Sequence, residues 1–160
     1  MARFTARNHS EAVVPTDRAT IWKVLTDPAL VARLTPLLED ITAEGEYWTW
    51  RLSRIPVLST SIAPQFTERM TFAEPERIVF THEPPSGSRE RAGAEGRYDL
   101  VEVADDPGST HLTIDLQITV DLPLPRASGP AVRTVMKQVV ARMGDRFADN
   151  LYDHLGLEKG

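Results

Sequence analysis

Residues 111–122, HLTIDLQITVDL, alternate between polar and apolar side chains along their whole length. Successive side chains of a β-strand point to opposite faces, so the alternation predicts a strand with one apolar and one polar face. Such strands are typical of antiparallel sheets that expose one face to water. After a Pro/Gly-rich connection, residues 130–155 carry apolar side chains three or four positions apart, which predicts one long helix with a single apolar stripe. Pro130 suits its first turn and Gly156 its C-cap.

The rest of the chain predicts two short helices and several more strands. Thr16 is a candidate N-cap for a helix that ends at Asp27, before Pro28. A second helix is predicted over residues 29–34 and ends before Pro36. Alternating or β-rich segments predict strands at residues 48–52, 66–72, 78–82 and 96–104. Turns are indicated at residues 74–77 and 105–108, and a turn or a bulge at residues 93–96.

The order of these elements predicts an α+β architecture. Short links between the strands favour an antiparallel sheet over a doubly wound one. The apolar face of the sheet and the apolar stripe of the last helix can each be buried only against the other, so the sheet should curl around the helix. Because a straight helix and a curved sheet diverge in the middle, either large side chains or a cavity must occupy the gap.

Composition bounds the class of protein. The chain has 160 residues, 41% hydrophobic and 26% charged, which fits one domain over residues 1–160. The absence of cysteine excludes a disulfide scaffold, thiol catalysis and cysteine-ligated zinc. The net charge is −5 and the basic residues are scattered among acidic ones, so nucleic acid is not an expected partner.

Several sites and segments are not expected either. No HExxH, P-loop or GxGxxG motif occurs, so we expect neither a metal nor a cofactor. The first residues are polar and no apolar run is long enough for a transmembrane segment, which predicts a cytoplasmic protein. The expected assembly is a monomer or a homodimer.

Residues 14–28, VPTDRATIWKVLTDP, resemble the N-terminal signature of the START/SRPBCC superfamily. The Leu34-Thr35-Pro36 segment, Gly45 followed by Trp48 and Trp50, and the terminal amphipathic helix also fit this pattern. The superfamily includes polyketide cyclases, lipid-transfer domains and plant carriers of hydrophobic ligands. The resemblance implies a helix-grip fold, with two short helices after the first strand and a curved antiparallel sheet that holds the last helix over an internal cavity.

Two polar residues share strand faces with apolar neighbours. Glu68 has the parity of Phe66 and Met70, and His82 has the parity of Phe80. If these faces point inward, a carboxyl and an imidazole enter the cavity, where an unpartnered polar group costs about 1–3 kcal/mol. Their presence there would indicate ligand contact or proton transfer. Alternatively, each lies near a strand end and its side chain reaches solvent.

The predicted ligand cavity lies between the sheet and the last helix. Tyr98 could offer it a hydroxyl, and Met136 and Met143 lie two turns apart on one helix face, where flexible thioethers either suit variable ligands or fill an irregular core. The residues predicted to line it are Trp50, Phe66, Glu68, Met70, Phe80, His82, Tyr98, Met136, Val140 and Met143.

Two functions follow from this cavity. One is binding or transport of a hydrophobic small molecule, such as a lipid, a polyketide or a quinone-like compound. The other is a cyclase or dehydratase that uses Glu68, His82 and Tyr98 as acid–base or positioning groups. A protein-interaction role would need an exposed apolar patch, and the sequence offers none that the core does not already require.

Overall fold

A seven-stranded antiparallel sheet and a long C-terminal helix dominate the structure, a computed structural model that describes residues 1–158. The predicted domain boundary at residue 160 lies outside the described residues. The strands are β1 (Ala2–Val14), β2 (Leu38–Glu44), β3 (Tyr47–Leu52), β4 (Ile55–Val57), β5 (Thr60–Ile62), β6 (Gln65–Ala73), β7 (Arg77–His82), β8 (Ala92–Val103) and β9 (Asp106–Leu122). The helices are α1 (Arg18–Leu25), α2 (Pro28–Leu34) and α3 (Gly129–Leu155), with a 3-10 turn at Arg126–Ser128.

The main sheet has the strand order β1-β9-β8-β7-β6-β3-β2. The alternating segment around residues 111–122 forms most of β9, which pairs with β1 on one side and β8 on the other. Strands β4 and β5 form a separate hairpin. The antiparallel sheet, the two short helices after β1 and the long final helix confirm the predicted α+β helix-grip fold.

Local capping sets the starts of the two short helices. Asp17, not the predicted Thr16, is the N-cap of α1; its backbone is extended and its carboxylate accepts a hydrogen bond from the Thr20 hydroxyl. Asp27 caps α2 by accepting from the Leu30 amide at 3.2 Å, so that helix begins at Pro28, one residue earlier than predicted. Proline in the first turn costs no hydrogen bond, because its missing N–H has no helical partner there.

Some strand boundaries differ from the sequence-based expectation. Residues 93–96, predicted as a turn or a bulge, lie within β8 and pair in continuous register with β9. Gly96 is required there by close packing, since a Cβ at this position would lie 1.9 Å from the carbonyl oxygen of Asp115 on β9. The predicted turn at residues 105–108 is shorter, because β9 already begins at Asp106. Strand β2 and the β4–β5 hairpin have no counterpart among the predicted strands.

Helix α3 is fixed at both of its ends. It runs for 27 residues and ends at Gly156, whose left-handed backbone, with φ of 67°, gives the predicted C-cap. Near its start, Val132 is buried against the sheet. Near its end, Leu151 is buried with Val24 of α1 and Leu34 of α2. The two short helices therefore hold the C-terminal end of α3.

Candidate functional site

Two apolar clusters occupy the concave side of the sheet. The first contains the start of α3 and the second contains α1; two half-buried residues, Trp50 and Leu116, pack against both. The first cluster comprises Ala2, Phe4, Ala6, Val57, Ile62, Phe66, Ala92, Ala94, Val120, Leu122, Val132 and Met136. The second comprises Val14, Ile21, Trp22, Leu25, Trp48, Met70, Ile78, Phe80, Leu100 and Leu112.

The region between the two clusters is incompletely covered. On α3, Val139, Val140 and Met143 are half-buried, whereas Val132 and Leu151 on either side are buried. The middle of the sheet is also half-buried, at residues Trp50, Tyr98, Ile114, Leu116 and Ile118. A close-packed interface would bury both surfaces. The pattern instead indicates a cleft between the middle of α3 and the middle of the sheet, which we call the central cleft.

Glu68 lies on the concave side at the edge of this region. It pairs with Trp48 of β3, so the two side chains share a face, and Trp48 belongs to the second cluster. Only 2% of Glu68 is exposed, and its Oε2 atom has no hydrogen-bond partner among the described residues. Burial raises the pKa of the Glu68 carboxyl well above its ordinary value, and the negative charge of Glu95 adds to the rise. Both effects favour the protonated form of the carboxyl over the ionised form.

Tyr98 reaches the same region from β8. Its ring lies 5.2 Å from that of Phe80, and the residue is half-buried. Burial raises the pKa of the Tyr98 phenol, and the negative charge of Glu68 contributes to the shift, which places the two polar groups within electrostatic reach of each other. Two of the three candidate acid–base residues are therefore coupled electrostatically, although strand β7 lies between them.

Trp50 adds a third polar group. Its indole ring stacks on Phe66, with a centroid separation of 6.1 Å and an interplanar angle of 11°. The ring is thereby fixed, yet its Nε1 atom is buried without an acceptor among the described residues. Since most buried N–H groups in proteins are paired, this one requires an explanation. Sequence parity predicted Trp50 in the cavity lining but could not show that its indole N–H lacks an acceptor among the described residues.

His82 has a different environment. It lies opposite Glu68 in the β6–β7 pair, but its Nε2 atom is 2.9 Å from Oε1 of Glu90, in the segment between β7 and β8. The Glu90 carboxylate also accepts from the amide and hydroxyl of Thr67, at 2.8 and 2.9 Å. A Cβ at Gly93 would lie 2.4 Å from His82 Nδ1, so the glycine makes room for the imidazole. The structure thus pairs His82 with Glu90 rather than with Glu68.

The other predicted lining residues divide between packed and open positions. Phe66 and Met136 belong to the first cluster, and Met70 and Phe80 to the second. Val140 and Met143 lie between the clusters on the half-buried part of α3, beside the central cleft. Sequence parity cannot separate these groups, because it predicts only which face of an element is apolar.

A second groove lies next to the second cluster, between α1 and the β2–β3 turn. It has a volume of about 440 Å³, and the edge of Trp22 meets Phe72 at its floor, with 6.1 Å between ring centroids. Its lining consists of Trp22, Thr26, Pro28, Ala43, Gly45, Trp48, Phe72 and Glu74. This groove was not predicted from the sequence, since three of its eight lining residues, Ala43, Gly45 and Glu74, come from strand β2 and from turns whose positions depend on the tertiary structure.

A family comparison agrees with this architecture. A family model described as polyketide cyclase/dehydrase and lipid transport matches residues 2–156. The chain belongs to this family. Membership supports a role in binding a hydrophobic ligand or in cyclisation. A search of curated protein sequences gave no match.

Solved structures of low sequence identity share the fold of this family member. A conserved protein from Geobacillus kaustophilus has a TM-score of 0.67 and 15% identity, covering 94% of this chain and 95% of that one. The Zhui aromatase/cyclase from Streptomyces sp. R1128 has a TM-score of 0.65 and 15% identity, covering 94% and 93%. A START superfamily protein from Mycobacterium smegmatis has a TM-score of 0.64 and 18% identity, covering 92% and 95%. At these identities, the similarity concerns the fold alone.

Within residues 1–158, no group of three or more histidine or acidic side chains is arranged to hold a metal ion. In the same part of the chain, no helix combines the length and the apolar character needed to cross a bilayer.

Proposed function

We propose that this family member binds a hydrophobic small molecule, such as a lipid, a polyketide or a quinone-like compound, in the central cleft. The observation that carries the proposal is the presence of two buried, unpartnered polar groups, Glu68 and Trp50, beside a half-buried apolar surface. Apolar sites with a few convergent polar groups are characteristic of small-molecule binding. A guest would cover the exposed apolar surface and supply the missing hydrogen bonds.

The apolar surface of the cleft supplies the driving force for binding. Each square ångström of apolar surface that a guest removes from water contributes roughly 25 cal/mol. On the helix side, that surface comes from Val139, Val140 and Met143. Because Met143 is a flexible, polarizable side chain, it can adapt to guests of different shape.

The test is to fill the cleft with a side chain. Val140→Trp adds an indole on the half-buried side of α3, whereas Ala141→Trp adds the same group on its exposed side. Nile red, a neutral apolar dye, is expected to bind the wild type and Ala141→Trp with increased fluorescence, and to bind Val140→Trp at least tenfold more weakly. If Val140→Trp does not fold, Met143→Phe serves as the smaller obstruction. Equal dye affinity in all folded variants would show that the cleft is not the site.

A cyclase or dehydratase reaction is the second candidate function. The observation that favours it is that two polar groups of the same region, the buried Glu68 carboxyl and the Tyr98 phenol, both have raised pKa values and are coupled electrostatically. A neutral carboxyl can donate a proton to a carbonyl oxygen and accept one back, while a phenol positions the same oxygen. Turnover of a poly-β-ketone by the wild type, lost in Glu68→Gln and Tyr98→Phe variants that still bind the compound, would support this reaction. Binding without turnover in the wild type would reject it.

A further inference from the structure

We infer that Trp50 and Glu68 together recognise the polar end of the ligand, and that they select an uncharged oxygen group, a carbonyl or a hydroxyl, over a carboxylate. The inference rests on the proposed binding function and specifies the chemistry of the guest. It follows from what each of the two groups can donate or accept, and from the charges around them.

Trp50 supplies a donor with a fixed direction. Its ring lies between Phe66, at 6.1 Å, and Trp48, at 6.2 Å, so the indole cannot turn freely toward another acceptor. The indole N–H donates and never accepts. Its partner must therefore be an acceptor atom, and none of the described residues provides one.

Glu68 supplies a second donor because none of the described residues that face it from β3, β7 and β8 stabilises a negative charge. On β7, His82 lies directly opposite but is bonded to Glu90. On β8, the charge of Glu95 opposes ionisation of Glu68, and Tyr98 is a neutral phenol near physiological pH because its pKa is raised. On β3, the facing residue is a tryptophan. These surroundings favour the protonated carboxyl, which carries an O–H donor.

Trp50 on β3 and Glu68 on the neighbouring strand β6 each present a donor without a partner among the described residues, so the ligand group that they bind must be an acceptor. Trp50 lies diagonally across the β3–β6 pair from Glu68, within reach for long side chains, yet the two groups are not bonded to each other. One oxygen atom of a ketone, ester or alcohol can accept from both. A carboxylate can also accept, but it would bring a full negative charge beside Trp48 and a histidine already bonded to Glu90, and burying an unpaired charge is costly.

Four ten-carbon probes test this selectivity: decan-2-one, decan-1-ol, decanoate and decane. Each is titrated near pH 7 against protein loaded with Nile red, and displacement of the dye is measured. We expect the ketone and the alcohol to displace the dye at concentrations at least tenfold lower than decanoate does. Decane has no polar end, so its displacement of the dye shows whether the apolar cleft accepts a chain of this length.

Variants separate the contributions of the two donors. Trp50→Phe keeps an aromatic ring but removes the N–H, and is expected to weaken binding of the ketone about tenfold while leaving decane unchanged. Glu68→Leu should weaken the ketone similarly, whereas Glu68→Gln, whose amide retains a donor, should restore it. Glu44→Gln, at an exposed position of β2, is the control and should bind as the wild type does.

The outcomes distinguish the two proposals. If decane and the three polar probes all fail to displace the dye, or the dye itself does not bind, the proposed function is wrong. If all four displace it equally and the variants change nothing, the cleft binds apolar chains and the inferred selectivity is wrong. The latter result is also expected if an ordered water molecule, rather than a ligand, satisfies Trp50 and Glu68.

Discussion

Replacing Glu68 with glutamine is expected to remove a specific pH dependence from the stability of the protein. The folded state holds the carboxyl protonated, because burial and the charge of Glu95 raise its pKa well above the ordinary value of 4.5. The unfolded chain ionises near that ordinary value. Folding therefore takes up a proton when the pH lies above the unfolded-state pKa. As far as Glu68 is concerned, the free energy of unfolding is highest below pH 4.5 and declines as the pH rises toward the folded-state pKa.

The size of the effect follows from proton linkage. The free energy of unfolding of the wild type should fall, relative to that of Glu68→Gln, by about 1 to 1.5 kcal/mol for each pH unit between the unfolded and folded pKa values. Above the folded-state pKa, the difference becomes constant, since the carboxyl is then ionised in both states. Glutamine is nearly isosteric and does not titrate, so the buried volume is conserved.

Urea unfolding curves collected at half-unit intervals from pH 4 to pH 8 measure this difference directly. Glu44→Gln removes a carboxylate from an exposed position and controls for the change in net charge. Its stability should follow that of the wild type at every pH. Parallel pH profiles for the wild type and Glu68→Gln would refute the account of Glu68 as a protonated, unpartnered buried acid.

Four other substitutions test the packing of the fold. Gly96→Ala should destabilise the protein by about 1–3 kcal/mol or more in urea unfolding, because its Cβ would lie 1.9 Å from the carbonyl oxygen of Asp115. Gly144→Ala, in α3 with open space around it, should instead stabilise the protein by about 0.5–1 kcal/mol. Because the two glycine substitutions have opposite expected effects, each serves as the control for the other. Glu90→Ala should cost about 1–3 kcal/mol in the same assay, since three donors lose their acceptor; no loss would mean that the loop contact is not maintained in solution. Leu151→Ala should cost about 2–5 kcal/mol and lower the thermal midpoint, because Leu151 joins α3 to α1 and α2.

The fold could be predicted from the sequence because its largest elements have strong periodic patterns. Strand β9 alternates strictly, and α3 carries one continuous apolar stripe, so each predicts both its type and its buried face. The missed elements are short or lack such a pattern. The three-residue strands β4 and β5 are too short to show periodicity, and in β2 only Leu38 is fully buried. The glycines of β8 were interpreted as a turn or a bulge. Only the close approach of β9 explains why a glycine is needed at position 96.

For the candidate site, the sequence predicted only which faces of the strands and of α3 point inward. Parity placed Glu68 and Tyr98 on the inner side of their strands, but it could not show that the charge of Glu68 contributes to the raised pKa of Tyr98. Parity could not show that His82 is bonded to Glu90, because that partner lies in an irregular segment whose path depends on tertiary contacts. The free N–H of Trp50 could not be predicted either, since an unpaired atom is recognised only when all of its neighbours are known.

The central claim, that a ligand occupies the space between α3 and the sheet, is tested most directly by the methionine methyl groups. Met143 lies beside the central cleft, Met136 and Met70 are packed in the two clusters, and Met1 is 74% exposed at the start of β1. In protein labelled with ¹³C at the methionine methyls and saturated with decan-2-one, the account predicts a shifted Met143 signal with nuclear Overhauser contacts to the ketone, and an unchanged Met1 signal. A ketone that saturates the protein without any effect at Met143 would contradict the claim.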